Sequence, residues 1–474
     1  MVLVWEPITD LPQDWSALTD GELGPLLQFW NDQRADLEQK DALAEFNQRL
    51  AREWSIETGQ IEGVYNLDRG VTETLIERGI NADLIPTQPG QKLPELIAAI
   101  IQDHVDVLEG LFQFVKGERP ISKSYIHELH AALLRHQETS TKKDQFGNLF
   151  ESKLHKGKYK ECPNIPTKPD GTIHQYCPPE QVDPEMERLL AMHEDHAKKR
   201  VAVEVEVAWL HHRFTQIHPY QDGNGRVARA LASLIFIKAG WFPVAVTRDA
   251  RSRYIEALEF ADEGDLKPLV SFLVDVQKRS LLQALKAADD VQEVLTVDEA
   301  IAAAKRALAG HTKDLEPTTW IKAKDTADRL MNLTVNRLNE IAQSMAHEIG
   351  SDRPDSQFST TAKIHPPSYA VKVWPQVMFG YKPNTTDYGE TRALVISLQK
   401  QARIEVQAHA IGPKVRGLIA MIAILQAPPS DIQLASKNGF EVNYAEPYES
   451  AERRFRTWLE ESLIHALDMW RKSL

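Results

Sequence analysis

The chain has 474 residues, 42% hydrophobic and 26% charged, enough to bury a large core and to divide into two or three domains. A formal charge of −13 leaves no basic footprint, so nothing in the composition favours a nucleic-acid partner. The cysteines, Cys162 and Cys177, are too few for a disulfide-built secreted domain, and the longest apolar stretch, "GLIAMIAILQA" from Gly417, falls short of the roughly 20 residues a membrane helix needs; the expectation is a cytoplasmic protein without a membrane partner.

In chain order, "ELGPLLQFWNDQRADLEQ" and "LAEFNQRLAREWSIETGQIEGV" carry apolar residues at helical spacing. "LDRGVTETLIERG" follows, and Pro86 and Pro89 then interrupt the pattern. "LPELIAAIIQDHVDVLEGLFQFVKG" and "SKSYIHELHAALLRH" predict two more helices. From Gln145 to Pro179 the texture changes to Gly, Pro and Lys without helical period, and "NIPTKPDGTIHQY" sets Pro-Asp-Gly between two short segments, which predicts a hairpin over Ile165 to Tyr176. One long helix, "PEMERLLAMHEDHAKKRVAVEVEVAWLHHRFTQ", is then expected to lead into "QIHPYQDGNGRVARALASLIFIKAG", a polar loop feeding a buried helix.

That loop concentrates chemistry. Gly223 and Gly225 remove side chains on both sides of Asn224, so backbone N–H groups can approach a ligand, and the following helix start adds partial positive charge. Arg226 and Arg229, three apart, offer planar forks suited to phosphate oxygens. Asp222 supplies a hard oxygen of the kind Mg²⁺ takes when phosphates complete its shell, and His218 is the group whose ordinary pKa suits proton transfer. Taken singly, a Gly-x-Gly is usually a turn and a helix-end arginine a surface ion pair. Together, base, metal ligand and phosphate cradle point to nucleotidyl or phosphoryl transfer.

The joint spacing "HPYQDGNGRVAR", His218 to Arg229, resembles the active-site signature of the Fic family, His-x-Phe-x-Asp/Glu-Gly-Asn-Gly-Arg-x-x-Arg, with Tyr220 in place of Phe. A tyrosine at a position that anchors the loop in the core brings a hydroxyl that needs a partner. The resemblance covers about residues 50 to 290. It implies a mainly α, Fic-type helical core with a β-hairpin flap, and transfer of AMP from ATP to a Ser, Thr or Tyr hydroxyl of a protein, another protein or the chain itself. On that reading His218 is the general base, Asp222 holds Mg²⁺, Asn224 and Arg226 contact the phosphates, and Arg229 holds the γ-phosphate. Backbone N–H groups of Gly223 to Gly225 stabilise the transferred group, and Tyr254 in "RSRYIEAL" approaches the nucleotide, although by spacing alone it equally packs on Leu258. The hairpin resembles the family's flap, which adds an extended target segment as a strand. Cys162 and Cys177 bracket it without enough ligands for a metal.

"TGQIEG", Thr58 to Gly63, resembles the family's inhibitory motif Ser/Thr-x-x-x-Glu-Gly/Asn. The resemblance pairs Glu62 with Arg229, the guanidinium that the γ-phosphate needs, so the resting chain would be slow. The same carboxylate could instead activate water to remove AMP, or the same loop could move another phosphate-linked group. A third class, a noncatalytic interaction module keeping the fold, sits poorly with an intact His218.

Beyond residue 290, "TVDEAIAAAKRALAG" and "TTWIKAKDTADRLMNLTVNRLNEIAQSMAHEIG" predict helices. "YAVKVWPQVMFGYKP", "ETRALVISLQKQARIEVQAHA" and "GFEVNYAEP" predict strands, and "AERRFRTWLEESLIHALDMWRKSL" a closing helix. The expected organisation is an N-terminal helical region with the inhibitory motif over 1–100, the catalytic core over 101–290, and a helical linker with an α+β module over 291–474. That module would serve target recruitment or self-association as a homodimer.

Overall fold

A computed structural model of the chain describes residues 2–293 and 318–473, apart from 22, 39–41, 118, 144–148, 168–170, 353–358, 366–374, 376–382, 398–400, 413–415, 428–431 and 437. The chain divides into two compact units, one of Met1–Leu23 with Ala44–Ser280, the other of Gly24–Leu43 with Leu281–Leu474. The architecture is the mainly α core and small antiparallel hairpin that the resemblance implied, with the separate C-terminal α+β region expected from the pattern beyond residue 290.

The helices up to residue 293 are α1 (Leu23–Glu38), α2 (Ala42–Ile61), α3 (Arg69–Arg78), α4 (Pro94–Lys116), α5 (Lys123–Leu133), α6 (Pro179–Lys199), α7 (Val203–Ile217), α8 (Asn224–Lys238), α9 (Arg251–Asp262) and α10 (Lys267–Glu293). Pro94 opens α4, where its missing N–H costs nothing, and Ile97, Ile100, Ile101, Val107, Leu108, Leu111 and Phe114 follow at helical spacing and are buried. α8 is apolar around most of its circumference, from Val227 through Leu231 and Leu234 to Ile237, and packs against α4, α5 and α7. A helix of that kind belongs inside a core, and its first turn therefore carries the loop into the interior.

The single helix expected from Pro184 to Gln216 is two. Arg200 takes the left-handed conformation at φ 55° and ends α6, and α7 begins three residues later. The turn lets Glu206 of α7 reach back to His193 and His196 of α6, each at 2.6 Å, contacts that one straight helix would forbid. The strands of this region are β1 (Val2–Leu3), β2 (Thr139–Lys143), β3 (Leu149–Lys153) and β4 (Ile173–His174). β2 and β3 form an antiparallel hairpin that the Lys-rich sequence did not announce. The hairpin that it did announce is present as a Thr167–Ile173 bridge, with the His174 amide donating to Pro166 O at 2.9 Å and the Tyr176 amide to Asn164 O at 3.3 Å. β4 also pairs in parallel with β1. Both cysteines are free, Cys162 exposed and Cys177 buried.

In the second unit, α11 (Thr318–Asp352) and α12 (Tyr448–Lys472) accompany an antiparallel sheet of β5 (Ser359–His365), β6 (Pro383–Ser397), β7 (Gln401–Ile411), β8 (Leu418–Gln426) and β10 (Phe440–Asn443), ordered β10-β8-β7-β6-β5, with β9 (Gln433–Leu434) paired to β8. Ile404, Val406, Ala408 and Ala410 alternate along β7 into one core with Trp320, Leu330 and Met331 of α11 and Phe455 and Leu459 of α12. Arg337 of α11 forks onto Glu460 of α12 at 2.5 and 3.0 Å. The helix predicted over 296–310 lies outside the described residues, as does nearly all of the strand predicted over 369–383. The apolar run from Gly417 is β8, and no described helix is long and apolar enough to cross a membrane.

Candidate active site

α7 ends at Ile217 and its C-cap is His218 at φ 52°, a left-handed conformation rare for a side-chain-bearing residue. Lys160 brackets this residue. Its amide donates to Pro219 O at 2.9 Å, and its Nζ, buried, lies 3.4 Å from Ile217 O. Burial lowers the pKa of that ammonium to about 8. The His218 ring stacks on Tyr176 of the flap at 3.9 Å and 16° between planes, and its Nδ1 faces Thr215 O at 3.3 Å. A proton on Nδ1 suits that carbonyl and leaves Nε2 as the acceptor. Enclosure, aided by the Lys160 charge, lowers the His218 pKa to about 3, so the ring is neutral at neutral pH.

Tyr220, fully buried, anchors the loop, and its hydroxyl has the partner that the sequence required: His127 Nδ1 at 3.0 Å. Its ring stacks on His130 at 3.7 Å. His130 accepts from the Gly157 amide on Nδ1 at 2.8 Å, so Nε2 carries the hydrogen toward the Asp222 carbonyl at 3.0 Å. Asn224, expected at the phosphates, spends both ends of its side-chain amide on Tyr220: Oδ1 accepts from the Tyr220 amide and Nδ2 donates to its carbonyl, each at 2.8 Å. Arg226 is likewise a brace. Completely buried, it donates to Gln137 Oε1 at 2.8 Å and lies 3.5 Å from Asp222 Oδ1. Asp222 accepts from the Gly223 amide at 2.6 Å and from Gln137 Nε2 at 2.9 Å. Gly223, at φ 80°, turns the chain into α8.

Beside this loop lies a cavity of about 350 Å³ lined by Glu62, His174, Tyr176, His218, Gly225, Arg229, Arg251, Tyr254 and neighbours. The structure thus gathers His218, Gly225, Arg229, Tyr254 and Glu62 around one space, and keeps Asp222, Asn224 and Arg226 in the loop behind it. Tyr254 is buried, with its hydroxyl 2.7 Å from His211 Nε2. Burial and then the Arg229 charge hold the His211 pKa down at about 3, so a neutral imidazole meets the phenol.

The opposite wall is the end of α2. Gly63 at φ 67° terminates the helix, its amide donating to Gln60 O and the Val64 amide to Gly59 O, both at 3.0 Å, the two bonds of a Schellman cap. Arg251 Nε reaches Ile61 O at 3.3 Å, and Arg229 NH2 reaches Thr58 O at 3.0 Å. Each carbonyl of the last turn therefore has an acceptor role. The cap turns Glu62 inward. Its Oε1 lies 2.8 Å from Arg229 NH1, while Arg229 Nε donates to Thr58 Oγ1 at 2.8 Å. Burial disfavours the Arg229 charge, but Glu62 and Tyr254 outweigh it and its pKa is raised. Gly225 lies against the same carboxylate, so closely that a Cβ at this position would collide with Glu62 Oε1. Glu62 thus occupies the start of α8, where an anion is favoured.

Lys160, Tyr176, His130 and Gln137 complete the site without a local motif. Tyr176 alone had a signal, its place in the predicted hairpin. Among the described residues no group of three or more His, Cys, Asp or Glu side chains could hold a metal. A cation here would need a ligand set finished by phosphate and water, which suits Mg²⁺ beside the single, partly exposed Asp222 carboxylate.

Residues 120–236 match the Fic/DOC family. The protein adenylyltransferase Fic of Drosophila persimilis is 37% identical over 86 residues, 18% of this chain and 17% of the relative, and that of Drosophila melanogaster is 37% identical over 86 residues, 18% of each. The match thus spans under a fifth of the length of these curated relatives. Among solved structures, a Fic domain containing signaling protein from Bacteroides thetaiotaomicron is 26% identical at a TM-score of 0.40, covering 58% of this chain and 94% of that one. Fic-1 from C. elegans is 23% identical at 0.39, covering 55% and 70%. The stretch that is similar to the Fic/DOC family, residues 120–236, includes the entire His218–Arg229 loop.

Proposed function

We propose that the chain transfers AMP from ATP to a Ser, Thr or Tyr hydroxyl of a protein, itself included, and that Glu62 restrains the reaction. The observation that carries this reading is the shared cavity: His218 on one side, Arg229 and the start of α8 on the other, with a carboxylate lodged where phosphate oxygens would bind. His218 Nε2 takes the acceptor proton. The acceptor oxygen bonds to the α-phosphorus, the bond to the bridging oxygen of the β-phosphate breaks, and pyrophosphate leaves. Gly225 and the first turn of α8 offer N–H groups to the charge that develops on the phosphoryl oxygens. Arg229, released from Glu62, takes the γ-phosphate, and Tyr254, fixed by His211, flanks it. Asp222 is the residue that would hold Mg²⁺, whose charge would neutralise the phosphates. Arg226 and Asn224 act through the loop, keeping His218 and Gly225 in place.

Lodging Glu62 in the same cavity also supports a second reading, in which its carboxylate activates water against an AMP-modified hydroxyl. Intact-mass measurement of the chain and of candidate acceptors after incubation with Mg²⁺ and ATP, or with other nucleotide donors, decides between them. Gain of an AMP mass is the expected result. Transfer of a different group, or loss of AMP from a pre-modified acceptor with no gain from ATP, rejects the transferase reading in favour of its alternatives.

A further inference from the structure

Residues 2–10 form a strap across the first unit. Its anchors lie at one end: the Ile8 amide donates to Glu185 Oε2 at 2.7 Å, the Thr9 carbonyl accepts from Trp209 Nε1 at 3.0 Å and Arg213 Nε at 3.2 Å, and Asp10 Oδ1 lies 2.6 Å from His196 Nε2. Ile8 is fully buried. His196 is held from its other side by Glu206, and although enclosure opposes its charge, the two carboxylates raise its pKa. From these anchors the strap runs past Gln216, whose Nε2 donates to Glu6 O at 3.3 Å, and ends on the flap, with Val2 opposite Ile173 and Leu3 opposite His174 in parallel register.

The edge it reaches is not an arbitrary one. The His174 and Tyr176 amides are spent on the flap's other arm, at Pro166 and Asn164. Successive amides of a strand point to opposite edges, so those of Ile173 and Gln175 face the side where β1 lies. This same strand carries His174 and Tyr176 into the cavity, with Tyr176 stacked on His218. An extended chain that presents a hydroxyl to His218 by adding to this strand needs the edge that β1 fills. The strap from Met1 to Ile8 contains no Ser, Thr or Tyr. It has the backbone of an acceptor and nothing to modify.

We propose that residues 2–5 are a built-in pseudo-acceptor strand, which an extended protein segment must displace from the flap before it can be modified. The inference rests on the transferase reading above for its consequence, and on backbone pairing for its existence. The test is a variant lacking Val2–Trp5, with the Ile8–Asp10 anchors kept. Hydrogen exchange at the Ile173 and Gln175 amides is expected to be about tenfold faster in that variant than in the full chain, because local protection reports the opening of the pairing. The synthetic peptide MVLVWEP should restore the slow exchange. Unchanged exchange on deletion overturns the pairing, and faster exchange that the peptide leaves unaltered overturns a strand-accepting edge. In a Glu62→Gly background, the same deletion is expected to raise AMP incorporation into a library of nonapeptides with a central Ser, Thr or Tyr by about fivefold, through KM and not kcat. Equal or lower incorporation overturns the pseudo-acceptor role. If Glu62→Gly protein transfers AMP to nothing at all, it is the reaction that fails, and the exchange and peptide results still decide whether the edge accepts a strand.

Discussion

The loop that carries His218 and the helix end that carries Glu62 face the same cavity, but contacts of different kinds hold them. The loop is tied by side chains that bond within the protein: Asn224 to both backbone groups of Tyr220, His130 to the Asp222 carbonyl, Arg226 to Gln137 and Asp222. The end of α2 is joined to the loop chiefly through Arg229, whose guanidinium meets Thr58 and Glu62. A phosphate can replace a carboxylate on an arginine with little rearrangement. On the proposed reading, one wall keeps a geometry and the other exchanges one anion for another.

The contrast breaks most visibly at His218. His218→Ala should lower AMP transfer by about 10²–10⁴ while ATP binding, measured by calorimetry, stays intact, because base and phosphate cradle are separate groups. Labelling that persists in this variant would end the base assignment. A brace should behave differently. Asn224→Ala leaves the Tyr220 amide and carbonyl buried without partners, at about 1–3 kcal/mol for each, and should appear as a lower denaturant midpoint at unchanged m-value, with activity lost in step. A loss of activity with no loss of stability would instead put Asn224 on the phosphates.

Acid should weaken the interior. His104 and His211 have pKa values lowered from 6.5 to about 3, burial being the first cause in both. Their folded values lie below the unfolded one, so this contribution to stability is intact above pH 6.5 and is lost as the pH falls toward 3, where the unfolded chain binds protons that the native state excludes. The melting temperature should decline across that window, and the slope should lessen in a His104→Gln variant that remains folded.

Glu62→Gly sharpens the contrast from the other side. Removing the competing anion should raise AMP incorporation by about tenfold, the equivalent of about 1.4 kcal/mol, and Arg229→Ala in the same chain should erase the gain. An ordinary surface glutamate predicts no gain. The smallest effect is expected at Tyr220→Phe, which loses one hydrogen bond to His127, about 1 kcal/mol of stability, and leaves the rate nearly unchanged.

These residues also mark how far the sequence can be read. His218 to Arg229 was legible because the cap, the two glycines and the first helical turn are neighbours in the chain, and Thr58 to Gly63 through its resemblance to a motif that the His218–Arg229 match makes worth seeking. The protein partners of Asn224 and Arg226 were not legible. A buried amide or guanidinium looks like a ligand-binding group until its partners are known, and Gln137 sits 89 residues from Arg226. Lys160 and His130 were hidden for the same reason. The break at Arg200 escaped because the polar run before it holds no Gly or Pro to mark a turn, and the contacts that go with the turn, Glu206 to His193 and His196, are tertiary.

The Schellman cap at Gly63 has a kinetic consequence. Thr58 lies in the last turn of α2 and Glu62 follows it directly, at the end of the helix, where local opening starts most readily. Unwinding that single turn would release the hydroxyl, the carbonyl and the carboxylate from Arg229 together, with no movement of the catalytic loop. On the proposed reading, the resting rate would follow how often that turn opens: each 1.4 kcal/mol of end stability changes the open fraction tenfold. Substitutions that only stiffen or loosen the α2 terminus, Gly63→Ala among them, would tune activity from a position that touches neither nucleotide nor acceptor.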